Sequence, residues 1–347
     1  MVKENIFGKT KKELQELVVG LGLAKFIGSQ LAEWMYKNNA RTFEDMHNIS
    51  KKAKALLNEK YQLERVEHGT VQKSVDGTKK YLFHVRGSHF IEAAFIPDRD
   101  RATLCVSSQV GCKMGCLFCM TGKQGFQANL STGEILNQIY SLPEFEQLTN
   151  VVYMGMGEPF DNLDNVLRSI EILTADYGMA WSPRRITVST IGIIPAMKTF
   201  LEKSEAHLAI SLHSPFEEER KKIMPIENVY NLPKLLEVIT NFEFGGQRRV
   251  SFEYIMFKDF NDGKAQVDQL ARILNGIKCR INLIRFHPIP GTPLLGSDDE
   301  TILKFQADLK KKGIMTTIRA SRGQDIFAAC GLLSTKELVK RKEEEDF

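Results

Sequence analysis

The sequence has no apolar run long enough to span a bilayer, and its first residues show no apolar core of a secretory signal. The best candidate, residues 17–28, is short and contains Lys25. Six cysteines in 347 residues are too few for a disulfide scaffold. We therefore expect a soluble cytoplasmic protein that has no membrane partner and keeps its cysteines for metal or redox chemistry.

Net charge is also small, at +4, and it is unevenly distributed. Residues 1–65 hold 12 Lys and Arg against 8 Asp and Glu, so the remainder of the chain is balanced. A basic end can hold a polyanionic partner, but it can equally be an ordinary solvated helical surface. Charge alone favours the second interpretation.

Hydrophobic periodicity divides the chain. Residues 1–65 have helical spacing over 11–21, 27–36 and 51–63, which predicts a small helical domain. Residues 66–97 contain Asp76-Gly77 between extended runs, followed by a strand at 91–96, so we expect a β-hairpin linker. The main domain is predicted at 98–335, and the end, 336–347, is a charged tail.

The main domain alternates extended and helical patterns, which predicts an α/β fold with a parallel sheet. The predicted strands are 103–107, 150–154, 185–190, 207–212, 249–257, 280–286 and 315–319. The predicted helices are 132–141, 163–176, 194–203, 231–241, 264–275 and 299–312. Polar and glycine-rich motifs follow the first four strands, so we expect the site at the carboxyl ends of the strands.

Three cysteines lie within eight residues, as Cys112, Cys116 and Cys119. Four thiolates would close a 4Fe–4S cluster, whereas three leave one iron open. That iron could bind the amino and carboxylate groups of S-adenosylmethionine (SAM), whose reductive cleavage yields a 5′-deoxyadenosyl radical. The alternative is a structural zinc site, but no second Cys/His pair supplies a fourth ligand.

The sequence around these cysteines resembles the RlmN/Cfr family of radical SAM RNA methylases. The resemblance rests on SSQVGCKMGCLFCMTGKQGFQANLSTGEI, VVYMGMGEP, SPRRITVSTIGIIP, SLHSP and RASRGQDIFAACG, and it covers nearly the whole chain. It implies a partial (β/α)6 TIM-like barrel of the radical SAM type, a small N-terminal RNA-binding domain, and a seventh strand outside the barrel. Met120 departs from the family, which usually has a smaller residue after the last cluster cysteine.

The resemblance also implies an activity: methylation of C2 of adenosine in 23S rRNA and in tRNA. A cysteine accepts a methyl group from one SAM, and a second SAM provides the radical that activates it. The methylene group adds to the adenine, a base removes the C2 proton, and a second cysteine releases the RNA by forming a transient disulfide. This route suits a C2–H bond that is neither acidic nor nucleophilic.

Motif by motif, the resemblance assigns roles to residues of this chain. Cys330 is the methyl carrier, Cys105 its disulfide partner and Glu92 the proton acceptor. The expected SAM contacts are Gly157, Glu158, Ser189, Ser211, Leu212, His213 and His287. Without the family, Cys105 and Cys330 would be taken as small buried residues, and Cys279 matches no functional position.

The expected requirements are one 4Fe–4S cluster, two SAM molecules per turnover, 23S rRNA and tRNA as partners, and an external reductant such as flavodoxin. We expect a monomer. Three alternatives remain open: a C8 methylase of the Cfr type, a radical SAM enzyme with a non-RNA substrate, and a non-catalytic iron–sulfur or zinc protein that binds nucleic acid.

Overall fold

The computed structural model describes residues 3–245 and 250–335. Its helices are α1 (Lys11–Gly20), α2 (Lys25–Tyr36), α3 (Lys51–Lys60), α4 (Met120–Gln124), α5 (Thr132–Tyr140), α6 (Leu163–Thr174), α7 (Ile194–Lys203), α8 (Glu217–Ile223), α9 (Leu232–Asn241), α10 (Lys264–Ile273) and α11 (Asp299–Lys311). Its strands are β1 (Glu4–Asn5), β2 (Tyr61–Gln62), β3 (His68–Lys73), β4 (Lys79–His84), β5 (Phe90–Asp98), β6 (Arg101–Cys105), β7 (Gln109–Val110), β8 (Ala128–Asn129), β9 (Asn150–Tyr153), β10 (Ile186–Thr190), β11 (His207–Ser211), β12 (Val250–Met256), β13 (Cys279–Arg285) and β14 (Thr316–Ile318). The predicted charged tail, 336–347, lies outside the described residues.

Ten of the described strands form one sheet in the order β14-β13-β12-β11-β10-β9-β6-β5-β4-β3. The seven strands from β6 to β14 in this order are parallel, and helices connect them, which confirms the predicted α/β fold. The strands predicted for the main domain are present within one or two residues of their expected ends, except that Arg249 is outside the described residues.

Two features of the sheet differ from expectation. The seventh strand, β14, pairs in parallel with β13 and so remains in the sheet as its short edge. The segment expected to be a linker also belongs to this sheet, because β5 pairs antiparallel with β6 and β3–β4 extend it as a hairpin. Backbone hydrogen-bonding groups at an open edge favour such extension. Helices α4 and α8 were not expected, since both are short.

Local sequence accounts for several element ends. Thr10 with Glu13 and Ser131 with Glu134 form capping boxes at the starts of α1 and α5. In the hairpin turn Gly77 has a φ of +85°, a conformation that glycine adopts without strain. The neighbouring Asp76 accepts a hydrogen bond from the backbone N–H of Thr78 at 2.9 Å. These signals are read within a few residues, which is why the sequence predicts them.

The N-terminal helices pack directly on the barrel. Gly8 and Gly133 meet so closely that a Cβ on either would come within 2.3 Å of the other segment's backbone. The ring of Phe7 lies 5.8 Å from that of Tyr140 on α5. Arg65 donates to the carbonyl oxygens of Asn39 and Tyr140, which ties both parts together. Among the residues that the structure describes, no helix is long and apolar enough to cross a membrane.

Candidate active site

The cysteine loop runs from β7 to α4. Gly111 precedes it with a φ of +72°, and a Cβ there would lie 1.6 Å from the carbonyl oxygen of Gly125. This close approach lets the N–H of Cys112 donate to that oxygen at 3.1 Å and closes the loop. Cys112 and Cys116 are buried and Cys119 is half-buried. All three line one cavity of about 240 Å³.

Three thiols from one loop share this cavity, as an iron–sulfur cluster with three protein ligands would require. Burial raises the pKa of Cys112 to about 12 and that of Cys116 well above its ordinary value, and the neighbouring Cys119 thiol raises both values further. Thiolates there need compensating positive charge, which cluster iron supplies. Within residues 3–245 and 250–335, no three His, Cys, Asp or Glu side chains converge on a single-ion site.

Glu158 stands at the carboxyl end of β9, after a tight turn at Gly157. A Cβ on Gly157 would lie 2.4 Å from the side chain of Gln109, whose Oε1 accepts from the N–H of Glu158 at 2.8 Å. The Glu158 carboxylate accepts from Thr190 Oγ1 at 2.6 Å and from the N–H of Phe160 and Ile191 at 3.1 Å. Carboxylates offer about four acceptor positions, so one remains for an ammonium group in the cavity.

The next strand ends supply Ser189, Ser211 and His213, which also line this cavity. The His213 backbone has a φ of +54°, and its Nδ1 accepts from the N–H of Ile255 at 3.0 Å. The ring proton is therefore on Nε2. Burial lowers the pKa of His213 to about 3, so this ring is a neutral donor at physiological pH.

Two of the residues expected to contact SAM are placed differently from the others. Leu212 is fully buried and does not line the cavity, because alternate residues of an extended strand face opposite sides. His287 does line the cavity, but its Nε2 lies 2.9 Å from Ser321 Oγ, which occupies one ring position. The remaining predicted contacts share the cavity wall with the cysteine loop.

The structure brings Cys105 and Cys330 to this same cavity from distant parts of the sequence. Cys105 is the last residue of β6 and is buried against Ala328. Burial, and then the Cys330 thiol, raise the pKa of Cys105 to about 12. Cys330 itself is exposed. The carbonyl oxygen of the next residue, Gly331, accepts a hydrogen bond from the N–H of Met120 at 2.8 Å. This bond connects the Cys330 segment to the first residue of α4.

Glu92 is close to this arrangement without lining the cavity. Its carboxylate pairs with Lys80 Nζ at 3.0 Å and accepts from the N–H of Ser334 at 3.1 Å. Burial raises the pKa of Glu92, and Lys80 partly opposes the shift. A raised pKa suits a proton acceptor, but Ser334 and Lys80 cover the carboxylate in this conformation.

Sequence reasoning missed two charged residues at the site. Arg319 is about a third exposed, lines the cavity, and contacts Glu253 at 3.3 Å. The nearby Cys330 thiol is the largest of the influences that raise its pKa. Arg319 begins the RASRG run that carried part of the resemblance, so a signal existed.

Arg220 is the second, and it is fully buried in an ion pair with Glu227. It donates to the carbonyl oxygens of Ser211 and Leu212 and so positions the end of β11. Within the run EEERKK it is indistinguishable from a solvated charge, so no sequence signal could have identified it.

Comparisons with known proteins show the family of the chain. Residues 106–272 match the family model of the radical SAM superfamily. Residues 4–63 match that of the ribosomal RNA large subunit methyltransferase N-terminal domain.

Several relatives match nearly the whole chain. Two proteins named "Probable dual-specificity RNA methyltransferase RlmN" are 52% identical in Phocaeicola vulgatus, over 98% of this chain and 97% of that protein, and 55% identical in Porphyromonas gingivalis, over 97% and 99%. The "Dual-specificity RNA methyltransferase RlmN" of Syntrophus aciditrophicus is 41% identical, over 98% and 99%. The crystal structure of a radical SAM methyltransferase from Sphaerobacter thermophilus superimposes with a TM-score of 0.88 at 35% identity and covers 95% of this chain and 99% of that one.

Proposed function

The chain belongs to the RlmN family within the radical SAM superfamily, and from this premise we propose that it methylates C2 of adenosine in 23S rRNA and in tRNA. One observation carries the proposal. Cys105 and Cys330, 225 positions apart, line the same cavity as the three-cysteine loop. A radical SAM enzyme without a methyl-carrying cysteine would have no need of this second pair.

Membership of the superfamily implies SAM and a 4Fe–4S cluster, which Cys112, Cys116 and Cys119 would hold. When bound, these groups supply one-electron cleavage of SAM to a 5′-deoxyadenosyl radical. We propose two SAM molecules per turnover, a monomeric enzyme, and an external one-electron reductant such as flavodoxin. The chain's own residues would bind and orient SAM and the RNA, transfer protons, and form the disulfide that releases the product.

The wall of the first cavity has polar groups that could bind the charged and polar parts of SAM. The remaining acceptor position of Glu158 suits the ammonium group, and the Nε2–H of His213 suits an acceptor atom. The turn at Gly157 lets a ligand approach the backbone without meeting a side chain.

For methyl transfer, Cys330 Sγ would lose its proton and attack the methyl carbon of SAM, so that the new sulfur–carbon bond forms as S-adenosylhomocysteine leaves. The guanidinium of Arg319 lines the same cavity and places a positive charge near the reacting sulfur. After the S-methylene carbon bonds to adenine C2, the ring radical would lose one electron to the iron–sulfur cluster that the loop cysteines would hold, and Glu92 accepts the C2 proton. Cys105 Sγ, as a thiolate, then attacks Cys330 Sγ. The S–S bond forms, the sulfur–carbon bond breaks, and the carbon keeps the electron pair and takes up a proton to become the methyl group.

The test is anaerobic reconstitution with iron, sulfide, SAM, a reductant and separate 23S rRNA and tRNA fragments. The methylated nucleoside is then identified by digestion, mass spectrometry and comparison with standards. We expect 2-methyladenosine from both RNAs. Methylation at C8 would replace this proposal with the C8 alternative, and unmodified RNA despite SAM cleavage would favour a non-RNA substrate.

The cysteine assignment has its own control. Alanine at Cys112, Cys116 or Cys119 should remove both the cluster chromophore and SAM cleavage. Cys279→Ala changes a half-buried thiol that does not line the cavity, so it should retain both. A fully loaded cluster in all three loop variants would contradict the assignment.

A further inference from the structure

A second cavity, of about 480 Å³, lies at the opposite end of the barrel interior. Its lining includes residues at the beginning of the parallel strands, among them Arg101 on β6, Asn150 on β9, His207 on β11 and Arg280 on β13. Strand register places these residues side by side, since Ser251 on β12 pairs with Arg280. The cavity therefore opens at the amino-terminal end of the strands.

The two cavities follow one another along the same strands. On β6, Thr103 lines the second cavity and Cys105 lines the first. On β10, Thr187 lines the second cavity and Ser189 lines the first. This is the two-residue period of side chains that share one face of a sheet. Val152, Met154, Glu253 and Arg319 line both cavities, so they form a common boundary.

Side chains of this interior are unusual for a barrel. Packed (β/α) barrels fill their interior with bulky branched apolar residues. Here the inward-facing residues nearest the amino-terminal ends of the strands are polar, and they include Thr103, Asn150, Thr187 and Ser251. Such residues leave open volume and offer hydrogen bonds, so the interior suits a polar ligand better than a closed core.

Charge indicates the sign of that ligand. Among residues 3–245 and 250–335, the lining has five arginines, Arg101, Arg184, Arg280, Arg319 and Arg322, and two carboxylates, Asp98 and Glu253. Each carboxylate is paired with a lining arginine, at 3.2 Å from Arg322 and 3.3 Å from Arg319. The lining is thus net positive, and guanidinium groups match the geometry of phosphate oxygens.

We propose that the arginine-lined opening of the second cavity binds phosphodiester groups of the RNA beside the target nucleotide. RNA and SAM would then reach Cys330 from opposite ends of the barrel. The inference rests on the proposed function and adds the route of entry. Adenine must leave its stack to meet Cys330, and phosphate contacts on both sides would hold the extruded nucleotide. Opposite entry also lets the carrier meet SAM first and RNA second without the two ligands colliding.

The test uses the full-length reconstituted enzyme with Arg101→Gln, Arg280→Gln and the double variant. Binding of an RNA hairpin substrate is measured by fluorescence anisotropy over a series of salt concentrations. We expect about a tenfold loss of affinity for each variant and a slope of log K against log salt that is shallower by about one. Arg280→Lys keeps the charge but not the planar fork, so its affinity should be intermediate.

Arg272→Gln is the matched control, because Arg272 is an exposed arginine of α10 that lines neither cavity. All proteins are matched for cluster content and melting temperature, which separates lost contacts from lost folding. Unchanged affinity and salt slope in Arg101→Gln and Arg280→Gln, in parallel with Arg272→Gln, would overturn the proposal. Competition by inorganic phosphate without any effect of the variants on RNA affinity would also overturn it and indicate a small-anion site.

Failure of the proposed function would look different. In that case wild-type enzyme would cleave SAM without methylating any RNA. A wild-type enzyme that methylates RNA, beside arginine variants that bind it normally, would contradict only the entry route.

Discussion

Cys105 and Cys330 share a cavity but differ in exposure, and the difference separates their proposed roles. Cys330 is exposed and, like Arg319, lines the cavity, so its thiol is accessible to a ligand there. The buried Cys105 has a raised pKa, so it is a poor nucleophile until its surroundings change. A carrier must react with SAM first, whereas a resolving thiol must wait until the RNA is attached.

This difference predicts opposite failures for two alanine variants. Cys330→Ala should cleave SAM but never link to RNA, because it lacks the sulfur that carries the methyl group. Cys105→Ala should accumulate a covalent Cys330–CH₂–adenine adduct, because nothing breaks the sulfur–carbon bond. The measurement is denaturing electrophoresis with labelled RNA under reducing, anaerobic conditions. Absence of an adduct in both variants would refute the methyl-cysteine route for this chain.

Glu92 presents the other residue-scale question, since Lys80 and Ser334 cover its carboxylate. Glu92→Gln keeps the shape but cannot accept the C2 proton. We expect methylation of Cys330 to proceed and release of the RNA to slow by about 100-fold or more, as for loss of a general base. Intact mass of the protein and single-turnover release rates measure the two steps. A normal release rate would assign the proton to another acceptor.

At the scale of elements, the hairpin of β3 and β4 holds the segment that leads to Cys330. Asp76 in its turn accepts from the N–H of Gly323 at 2.9 Å. The preceding Ser74 donates to Asp325 at 2.5 Å. A Cβ on Gly323 would lie 2.8 Å from Thr78, so the turn and segment are in close contact. The hairpin therefore positions the segment that carries Cys330, the proposed methyl carrier, although the sequence suggested only a linker.

Replacing Asp76 by Ala should loosen this contact. Loss of hydrogen bonds to a charged acceptor should lower the free energy of unfolding by about 1.5–3 kcal/mol, measured by urea denaturation. Despite partial burial, hydrogen bonds from Thr78 and Gly323 lower the pKa of Asp76 to about 2. Its stabilisation is therefore present above the pKa of the unfolded chain and is lost as pH falls through about 2.

The control for this effect is the pH dependence itself. The difference in stability between wild type and Asp76→Ala should be constant near neutral pH and shrink in acid. A difference that persists unchanged at the lowest pH at which the protein folds would show that the carboxylate charge does not contribute.

At the scale of the whole molecule, the N-terminal helices are joined to the barrel by a buried aromatic contact and by Arg65. Burial lowers the pKa of Arg65 to about 10, which reflects how far this junction is removed from water. Deleting residues 1–65 would expose the face of α5, so a truncated chain would test folding as much as RNA binding. Surface substitutions are the sharper probe of the basic charge in this part.

Lys51, Lys52 and Lys60 are exposed on α3. Replacing all three by Gln should weaken RNA binding by about tenfold and reduce its salt dependence, because each phosphate contact releases a counterion. Cleavage of SAM without RNA should be unchanged. Anisotropy titrations over several salt concentrations provide the measurement. Equal affinities for wild type and the triple variant would favour the solvated-surface interpretation of this charge.

The sequence by itself determined what is encoded over short distances. The helices and parallel strands follow from hydrophobic period and capping. Three thiols within eight residues must lie close together whatever the fold. The placement of polar motifs after strands also predicted the edge of the sheet that carries the site, because parallel strands align their carboxyl ends. Roles for Cys105 and Cys330 came from family resemblance, since neither has a local signal.

Only the tertiary structure decided which distant residues meet. Cys105 and Cys330, Asp76 and Gly323, and Glu92 and Ser334 lie more than 200 residues apart. Strand order and loop packing make Arg220 a buried charge that positions the end of β11 and make Arg319 a neighbour of Cys330, the proposed methyl carrier. Burial and charge environment arise from the whole fold, whereas residue type and spacing are local, and for that reason the chemistry could be named from the sequence but its geometry could not.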